Sequence, residues 1–377
     1  MSSLAPFAMR VEDSEGRRYP EPEHPYRNPF QRDRDRIVHA KAFRRLEKKT
    51  QVFNPNYSDH FRNRLTHTLE VSQIARTIAS ALRLNNDLCE VLALSHDIGH
   101  PPFSHAGEEV LDRIMRSHGS GFEHNLHALR IIEDFEERYA RFPGLNLTFE
   151  VREGIVKHSR DYAPGDQPYV DIDGYRKGER PPLEAQLIDL ADEVAYNTAD
   201  LDDGYGSGLI TLDQMMEGSA LFRRLYLRIE GNFPGSSEGI LVSEAIRRLI
   251  DVLVTDLVRA TRDRIRAEAL DSVEAVRRFP SRVVRFGPEI GGLSRQLKGF
   301  LRDNLYHHPD LERPRRRAKA LIADLFRYYE EDPAKLPPPH FDRIGERGVQ
   351  RVVCDYIAGM TDSFARKIRG RISSHAG

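Results

Sequence analysis

Cysteine is scarce in this chain, and long apolar runs are absent. Only Cys89 and Cys354 occur in 377 residues, far apart and with no CxxC motif. This excludes a disulfide framework or a zinc ribbon and is typical of a reducing compartment. No apolar run is long enough to span a bilayer, and no signal-peptide pattern opens the sequence. We therefore expect a cytoplasmic protein without a membrane partner.

An excess of one charge sign is also missing, since 57 basic residues face 58 acidic ones. A balanced chain is no polycation, so any contact with nucleic acid must come from local arginine clusters. Two such clusters lie in the C-terminal part: Arg277, Arg278, Arg282 and Arg285; and Arg313, Arg315, Arg316 and Arg317 with Lys319. Each is either a solvated basic face or an anion site.

Strand alternation and internal repeats are lacking too, whereas helical periodicity is frequent. Ile37, Ala40, Phe43 and Leu46 recur at helical spacing from Asp33 onward. Similar patterns predict an all-α fold with helices from Asn63, over 86–97, 104–117, 123–138, 149–158, 183–202, 218–230, 240–268, 288–306, 310–331 and 346–372.

Composition suggests three regions along the chain. Residues 1–30 are rich in Pro, Glu and Arg and predict an extended or partly disordered arm. The Gly/Pro/Ser-rich stretch 231–237 predicts a boundary between a catalytic core, 31–230, and a C-terminal helical region, 231–377. A polar loop at 161–182 has the length of a lid or a mobile segment.

Residues 94–105, at the end of a predicted helix, contain several side chains that can bind a metal. His96 and Asp97 stand side by side, His100 follows one turn later, and His105 lies beyond Pro101-Pro102. Imidazole and carboxylate together suit a divalent first-row metal or Mg²⁺. A bare His-Asp pair is more often a structural helix cap, so the rest of the chain must decide.

A second helix that carries candidate functional side chains is predicted over 183–202. Asp192, Tyr196 and Asp200 fall at i, i+4 and i+8 and share a face, spread over roughly 12 Å. This spread is about the reach from an α-phosphate to the far edge of a nucleoside.

In order, His67, His96, Asp97 and Asp192 form an H…HD…D pattern that resembles the HD-domain metal-dependent phosphohydrolases. Six segments together resemble their bacterial deoxyguanosine triphosphate triphosphohydrolase branch: FQRDRDRIVH (30–39), AFRRLEKKTQVF (42–53), RLTHTLEV (64–71), HDIGHPPFSH (96–105), FEHN (122–125) and ADEVAYN (191–197).

The resemblance implies a metal-dependent hydrolysis of a deoxynucleoside triphosphate to the deoxynucleoside and inorganic triphosphate. It implies that the four residues of the H…HD…D pattern hold one divalent metal, which is Mg, Mn or another first-row metal such as Fe, Co or Ni. Four such ligands leave two positions on an octahedral ion for water and a phosphate oxygen.

The resemblance also implies roles for residues around that metal. His124, supported by Glu108, would deliver the proton to the departing 5′ oxygen. Residues expected to bind substrate are Arg64, His100 and His105 at the phosphates, Tyr196 and Asp200 at the sugar, and Gln51 at the nucleoside. Glu193 and Ala199 depart from some relatives, which carry Lys and His there.

Other readings stay open at this point. The chain could be an HD phosphohydrolase acting on another nucleotide, or a catalytically silent sensor that binds nucleotide or single-stranded DNA. The resemblance further implies a homo-oligomer, and an effector nucleotide or weak single-stranded DNA binding at the arginine clusters. No residue singles out a base.

Overall fold

The computed structural model describes residues 3–53 and 61–375, and within these ranges the chain is all-α with no β-strand. This confirms the predicted fold class. The helices are α1 Pro29–His39, α2 Lys41–Arg45, α3 Arg64–Leu82, α4 Asn86–Ser95, α5 Ser104–Ser117, α6 His124–Arg130, α7 Phe149–Val156, α8 Leu183–Gly206, α9 Leu212–Gly218, α10 Ala220–Asn232, α11 Glu238–Ala267, α12 Val273–Arg278, α13 Pro288–Leu301, α14 Pro309–Glu331, α15 Pro338–Phe341, α16 Ile344–Arg347, α17 Val349–Ala358 and α18 Asp362–His375.

Short turns of other helix types extend several of these helices. They are 3₁₀ turns at Leu46–Lys48 and Pro333–Lys335, and π turns at Ile131–Phe135 and Arg302–Tyr306. None of the described helices combines the length and the apolar character needed to cross a lipid bilayer.

Helix α1 begins at Pro29, four residues before the predicted start, because a capping box defines its first turn. The Asn28 side chain accepts from the backbone N–H of Gln31, and the Gln31 side chain accepts from the backbone N–H of Asn28. Pro29 occupies the first position, where its missing N–H costs nothing.

The prediction of one helix over 346–372 is wrong, because this stretch contains parts of three helices. Gly348 separates α16 from α17 with φ +79°, a conformation that favours glycine. Gly359 and the two residues after it separate α17 from α18. The apolar periodicity continues across both breaks, so periodicity alone missed them.

The chain folds into two compact units, each assembled from separate stretches. The first unit consists of 1–14, 67–93 and 179–312, and the second of 15–66, 94–178 and 313–377. The division by composition into 1–30, 31–230 and 231–377 stays a prediction.

The core of the first unit is built around the long helix α11, which packs along α8 and α10. Its buried stripe repeats every four residues: Leu241, Ala245, Leu249, Leu253 and Leu257. Because an α-helix has 3.6 residues per turn, these side chains lie near one face of α11, and an apolar face of this kind can pack against a neighbouring helix.

The core of the second unit joins three distant segments, namely α5, α14 and α17 with the start of α18. Its buried members include Val110, Met115, Ile322, Phe326, Val353, Ile357 and Ala365. Helix α5, which carries Glu108, therefore rests on the C-terminal helices.

The N-terminal segment has no helix before Pro29 among its described residues, and its first part is held by burial and a hydrogen bond. Ala5, Ala8 and Met9 are buried in the first unit, and the Met9 N–H donates to Glu184 at 2.9 Å. These three small or apolar side chains anchor the start of the segment.

The predicted lid, over its part 161–178, is anchored by tyrosines in the second unit. Tyr162 and Tyr175 are buried, and the Tyr175 hydroxyl donates to Glu133 at 2.6 Å. The Tyr169 hydroxyl donates to the carbonyl of Glu123 at 3.1 Å. The segment is thus tied down beside the N-terminus of α6.

Candidate active site

The first pair of predicted ligands lies in the first unit, where α3 places His67 beside Asp192 of α8. The His67 Nε2 and Asp192 Oδ1 atoms are 2.8 Å apart, although 125 residues separate them in sequence. His67 is buried and Asp192 is partly exposed. A ring nitrogen and a carboxylate oxygen thus lie together, and the carboxylate is partly exposed.

The second pair, His96 and Asp97, lies in the second unit, in the turn directly after α4. Both side chains are buried, and His96 Nε2 is 3.6 Å from Asp97 Oδ1. Gly99 permits this turn, because a Cβ there would lie 2.0 Å from the carbonyl oxygen of His124. The glycine therefore lets the ligand turn approach α6 closely.

Arg64 is fully buried and forms an ion pair with Asp97, 2.5 Å from Nη1 to Oδ2. Its Nη2 donates to the Ser104 hydroxyl at 2.7 Å. Burial alone would raise the pKa of Asp97, but the Arg64 guanidinium, helped by His96 and His100, holds that pKa well below its usual value. Asp97 is therefore ionised at neutral pH, the form in which a carboxylate can bind a metal.

A strained backbone marks the N-terminal end of α5. Phe103 has φ +63° and Ser104 φ +58°, both in the left-handed region. The Phe103 N–H donates to the buried carboxylate of Asp362 at 2.9 Å, which helps to hold this conformation. Strain of this kind is retained where a side chain must be aimed, and here it aims Ser104 at Arg64.

His100 is only 3% exposed and lies against Asp97, with Nε2 3.1 Å from Oδ1. Because a carboxylate only accepts, Nε2 carries the proton and Nδ1 presents a lone pair. Burial and the charges of Arg64 and His124 lower the pKa of His100 well below its usual value. The imidazole is therefore neutral at pH 7.

Glu108 orients His124 through a single oxygen. Its Oε1 accepts from the backbone N–H of His124 at 2.9 Å and lies 2.8 Å from His124 Nδ1. Burial would raise the pKa of Glu108, but the charge of His124 and hydrogen bonds from His105 and His124 lower that pKa below its usual value. The ionised carboxylate accepts from Nδ1–H, which in a neutral imidazole leaves the lone pair on His124 Nε2.

His105 differs from the other predicted site residues in being 82% exposed. It lies on the first turn of α5, and its Nδ1 is 3.6 Å from Glu108 Oε2. Gln51 is half-buried, and its Oε1 has no hydrogen-bond partner among the described residues.

The two predicted sugar-contacting residues lie on α8 in the first unit. Tyr306, from the π turn after α13, donates its hydroxyl to the Asp200 carboxylate. Lys298 Nζ lies 5.4 Å from the Tyr196 ring centre and 3.4 Å from Glu193. Periodicity on α8 pointed to Tyr196 and Asp200, but no spacing signal pointed to Tyr306 or Lys298.

Lys49 is another residue that the sequence reasoning missed. Its side chain is buried, and Nζ donates to the carbonyl of His100 and, at 3.5 Å, to that of Ala358. Burial, followed by the charges of Arg45 and Arg64, lowers the pKa of Lys49 to about 7. It supports the turn that carries His100.

The arginine clusters differ in exposure. In the first, Arg277 is buried and Arg282 forms an ion pair with Asp189, whereas Arg278 and Arg285 are exposed. In the second, Arg313, Arg316 and Arg317 are exposed.

Each ligand pair fits a divalent ion by its chemistry. His67 with Asp192, and His96 with Asp97, are nitrogen–oxygen pairs, and three of these four side chains are buried. Buried imidazole and carboxylate suit first-row divalent metals. Arg64 and His100 both contact the Asp97 carboxylate.

Two stretches of the chain match known domain families. Residues 64–197 match the HD domain, and residues 284–371 match the phosphohydrolase-associated domain. Together the two matches cover both ligand pairs and most of the C-terminal helices.

Several relatives resemble the chain over nearly its whole length. Each is named deoxyguanosinetriphosphate triphosphohydrolase-like protein. The relative from Ralstonia nicotianae is 50% identical over 98% of this chain and 94% of its own. Those from Geobacter metallireducens and Geobacter sulfurreducens are each 47% identical over 97% of this chain and 93% of their own.

Proposed function

We propose that this chain, which belongs to the HD-domain family of deoxyguanosinetriphosphate triphosphohydrolase-like proteins, hydrolyses a deoxynucleoside triphosphate to the deoxynucleoside and inorganic triphosphate. The observation that carries the proposal is the pair formed by Glu108 and His124. The ionised Glu108 carboxylate orients the His124 imidazole for proton transfer.

One divalent metal per site is part of the proposal, with His67, His96, Asp97 and Asp192 as its ligands. When bound, such an ion supplies a Lewis acid at the α-phosphate and a point of attachment for water. Arg64 would favour metal binding, because its charge keeps the Asp97 carboxylate ionised. The candidate ions are Mg²⁺, Mn²⁺, Fe²⁺, Co²⁺ and Ni²⁺, of which the two imidazoles favour the transition metals.

His124 is the proposed general acid. The bond from the α-phosphorus to the 5′ oxygen breaks while a water oxygen bonds to that phosphorus, so the 5′ oxygen must gain a proton. His124 Nε2 supplies it, and Glu108 stabilises the charged imidazole that precedes the transfer.

The remaining site residues are proposed to bind substrate. Arg64, His100 and His105 would meet the phosphates, although Arg64 already forms an ion pair with Asp97. Tyr196 and Asp200 would contact the deoxyribose, with Tyr306 orienting the Asp200 carboxylate. Gln51 would contact the nucleoside.

We extend the proposal to a cytoplasmic homo-oligomer that binds anions at the exposed arginines of α14. An effector nucleotide or single-stranded DNA would be the anion. Binding of either should weaken steeply as salt is raised, because phosphate contacts release counterions.

The test is product analysis with a panel of deoxynucleoside triphosphates in Mn²⁺ or Mg²⁺. We expect deoxynucleoside and inorganic triphosphate, separated by anion exchange. His124→Ala should lower kcat by about 100-fold or more, and Asp192→Ala should abolish the metal-dependent rate.

His118→Ala is the matched control, since His118 lies at the end of α5 and contacts Glu330 rather than any proposed site residue. Its turnover should equal that of the unaltered chain. Release of orthophosphate from a monophosphate would favour an HD phosphohydrolase of another nucleotide. Unchanged turnover in both site variants would refute the residue assignment.

A further inference from the structure

A histidine outside the H…HD…D set packs against one of its members in the second unit. The ring of His158, in the turn that follows α7, lies edge-on to that of His96, with centres 5.3 Å apart and planes at 64°. Both residues are buried. Because two packed aromatic rings prefer particular mutual orientations, each ring restricts the rotation of the other.

Asp97, the neighbour of His96 in sequence, does not fix the His96 ring. His96 Nε2 is 3.6 Å from Asp97 Oδ1, longer than a hydrogen bond. The last torsion of a histidine side chain is broad, so the imidazole can turn unless something packs against it. A ligand that is already held in its binding orientation loses less freedom when an ion binds. The contact with His158 can supply that orientation.

The turn that carries His158 is held by contacts on both sides. The preceding Lys157 is buried, and its Nζ donates to Glu153 Oε1 at 2.9 Å and to the Arg176 carbonyl at 2.9 Å. The following Ser159 has φ +58°, a left-handed conformation that residues other than glycine rarely adopt. Such a conformation persists where the surrounding structure requires it. The backbone at His158 is therefore well defined.

A buried amide links this turn to α6. Asn125 is 2% exposed, and its Nδ2 donates to the carbonyl of His158 at 2.7 Å. Asn125 directly follows His124, so its side chain connects the helix of the proposed general acid to the turn that packs on His96. Loss of this hydrogen bond would leave a buried carbonyl without its donor and would loosen the turn.

We propose that His158 is a positioning residue for the metal ligand His96, and that Asn125 acts through His158. The His158 ring keeps the His96 imidazole in the orientation that binds the ion, and the Asn125 amide keeps the His158 turn in place. The inference rests on the proposed metal site, and it gives neither residue a part in proton transfer. The contact depends on the shape of the ring, so an aromatic ring without nitrogen should replace it.

The experiment measures Co²⁺ binding to the full chain in the absence of substrate, by calorimetric titration of protein stripped with a chelator. His158→Ala removes the ring and should weaken Co²⁺ binding about tenfold. His158→Phe keeps an aromatic ring, and its affinity should stay within about threefold of that of the unaltered chain. The visible absorption of bound Co²⁺ depends on ligand geometry, so it should change in His158→Ala and be retained in His158→Phe.

His127→Ala is the matched control. His127 is also a buried histidine of the second unit, and in the described part of the chain its ring packs on Phe122 and Phe135. This variant should bind Co²⁺ as tightly as the unaltered chain.

Asn125→Leu tests the link to α6 without altering the ring. It should weaken Co²⁺ binding when it is the single change, and it should add no further loss in the His158→Ala background, because Asn125 acts through His158. Far-ultraviolet circular dichroism should show the same helix content in each variant.

Three results would overturn the inference: unchanged Co²⁺ affinity in His158→Ala, equal losses in His158→Phe and His158→Ala, or a loss in His127→Ala as large as that in His158→Ala. These results would leave the proposed hydrolysis intact, since they concern only how His96 is held. An unaltered chain that binds no Co²⁺ would overturn the metal site and this inference together. A chain that shows the expected affinities but releases no triphosphate would support the inference and contradict the proposed activity.

Discussion

Replacing Lys49 by Met removes a buried amine whose charge the surrounding structure opposes. Lys49 is 2% exposed, and burial with two nearby arginines lowers its pKa to about 7. In the unfolded chain a lysine has a pKa of about 10.4. Between these values the unfolded chain binds a proton that the folded chain lacks.

The sign of the effect follows from this difference in bound protons. Stability rises with pH wherever the unfolded state binds more protons, so the native fold should gain stability between pH 7 and pH 10. Below pH 7 both states hold the proton, and the penalty is constant at its largest value. Summed from pH 7 to pH 9, the gain is about 2 kcal/mol.

Methionine is an unbranched side chain of similar length that cannot titrate. We expect the free energy of unfolding of the unaltered chain, minus that of Lys49→Met, to rise by about 2 kcal/mol from pH 7 to pH 9. Other titrating groups cancel in this difference. Urea unfolding followed by circular dichroism at the two pH values measures it.

Lys48→Met is the control, because the neighbouring Lys48 is exposed. Its difference from the unaltered chain should be the same at both pH values. If the Lys49→Met difference also stays constant within about 0.5 kcal/mol, the amine is not held in a charge-opposing site and the reasoning is refuted.

Three further predictions concern single contacts. Glu108→Gln removes the charge behind His124, so kcat should fall by about 100-fold with KM little changed; a fall below tenfold would contradict the general-acid role. Tyr306→Phe removes the hydroxyl that donates to Asp200, and KM for the deoxynucleoside triphosphate should therefore rise by about tenfold. An unchanged KM would contradict a role of the Tyr306–Asp200 pair in sugar binding. Asp362→Ala leaves two backbone amides and one hydroxyl without their acceptor, so the free energy of unfolding in urea should fall by about 2–4 kcal/mol. A fall below about 1 kcal/mol would show that water replaces the carboxylate.

Several helices could be predicted from apolar spacing in the sequence. The prediction for 104–117 coincides with α5, Ser104–Ser117, and the apolar stripe of α11 continues to its end. The prediction failed at Gly348 and Gly359, where the apolar pattern runs on but the backbone turns. Hydrophobic spacing reports which face is buried, and it does not report where a chain reverses.

The predicted site residues fall into groups that sequence spacing could not define. His67 and Asp192 touch across 125 residues, and Glu108 reaches His124 across 16. The family pattern supplied the residue types but not the partner of Arg64, which the structure shows to be Asp97.

By itself, the sequence determined the helical class, the positions of most helices and the chemical kinds of side chain that carry function. These follow from interactions within a few residues and from a motif order that needs no coordinates. Only the tertiary structure decided that Lys49 supports the His100 turn, that Tyr306 engages Asp200 and that Glu108 contacts His124 through one oxygen. Such contacts depend on how distant helices pack, because a side chain's partner is chosen by the space around it rather than by its neighbours in the chain.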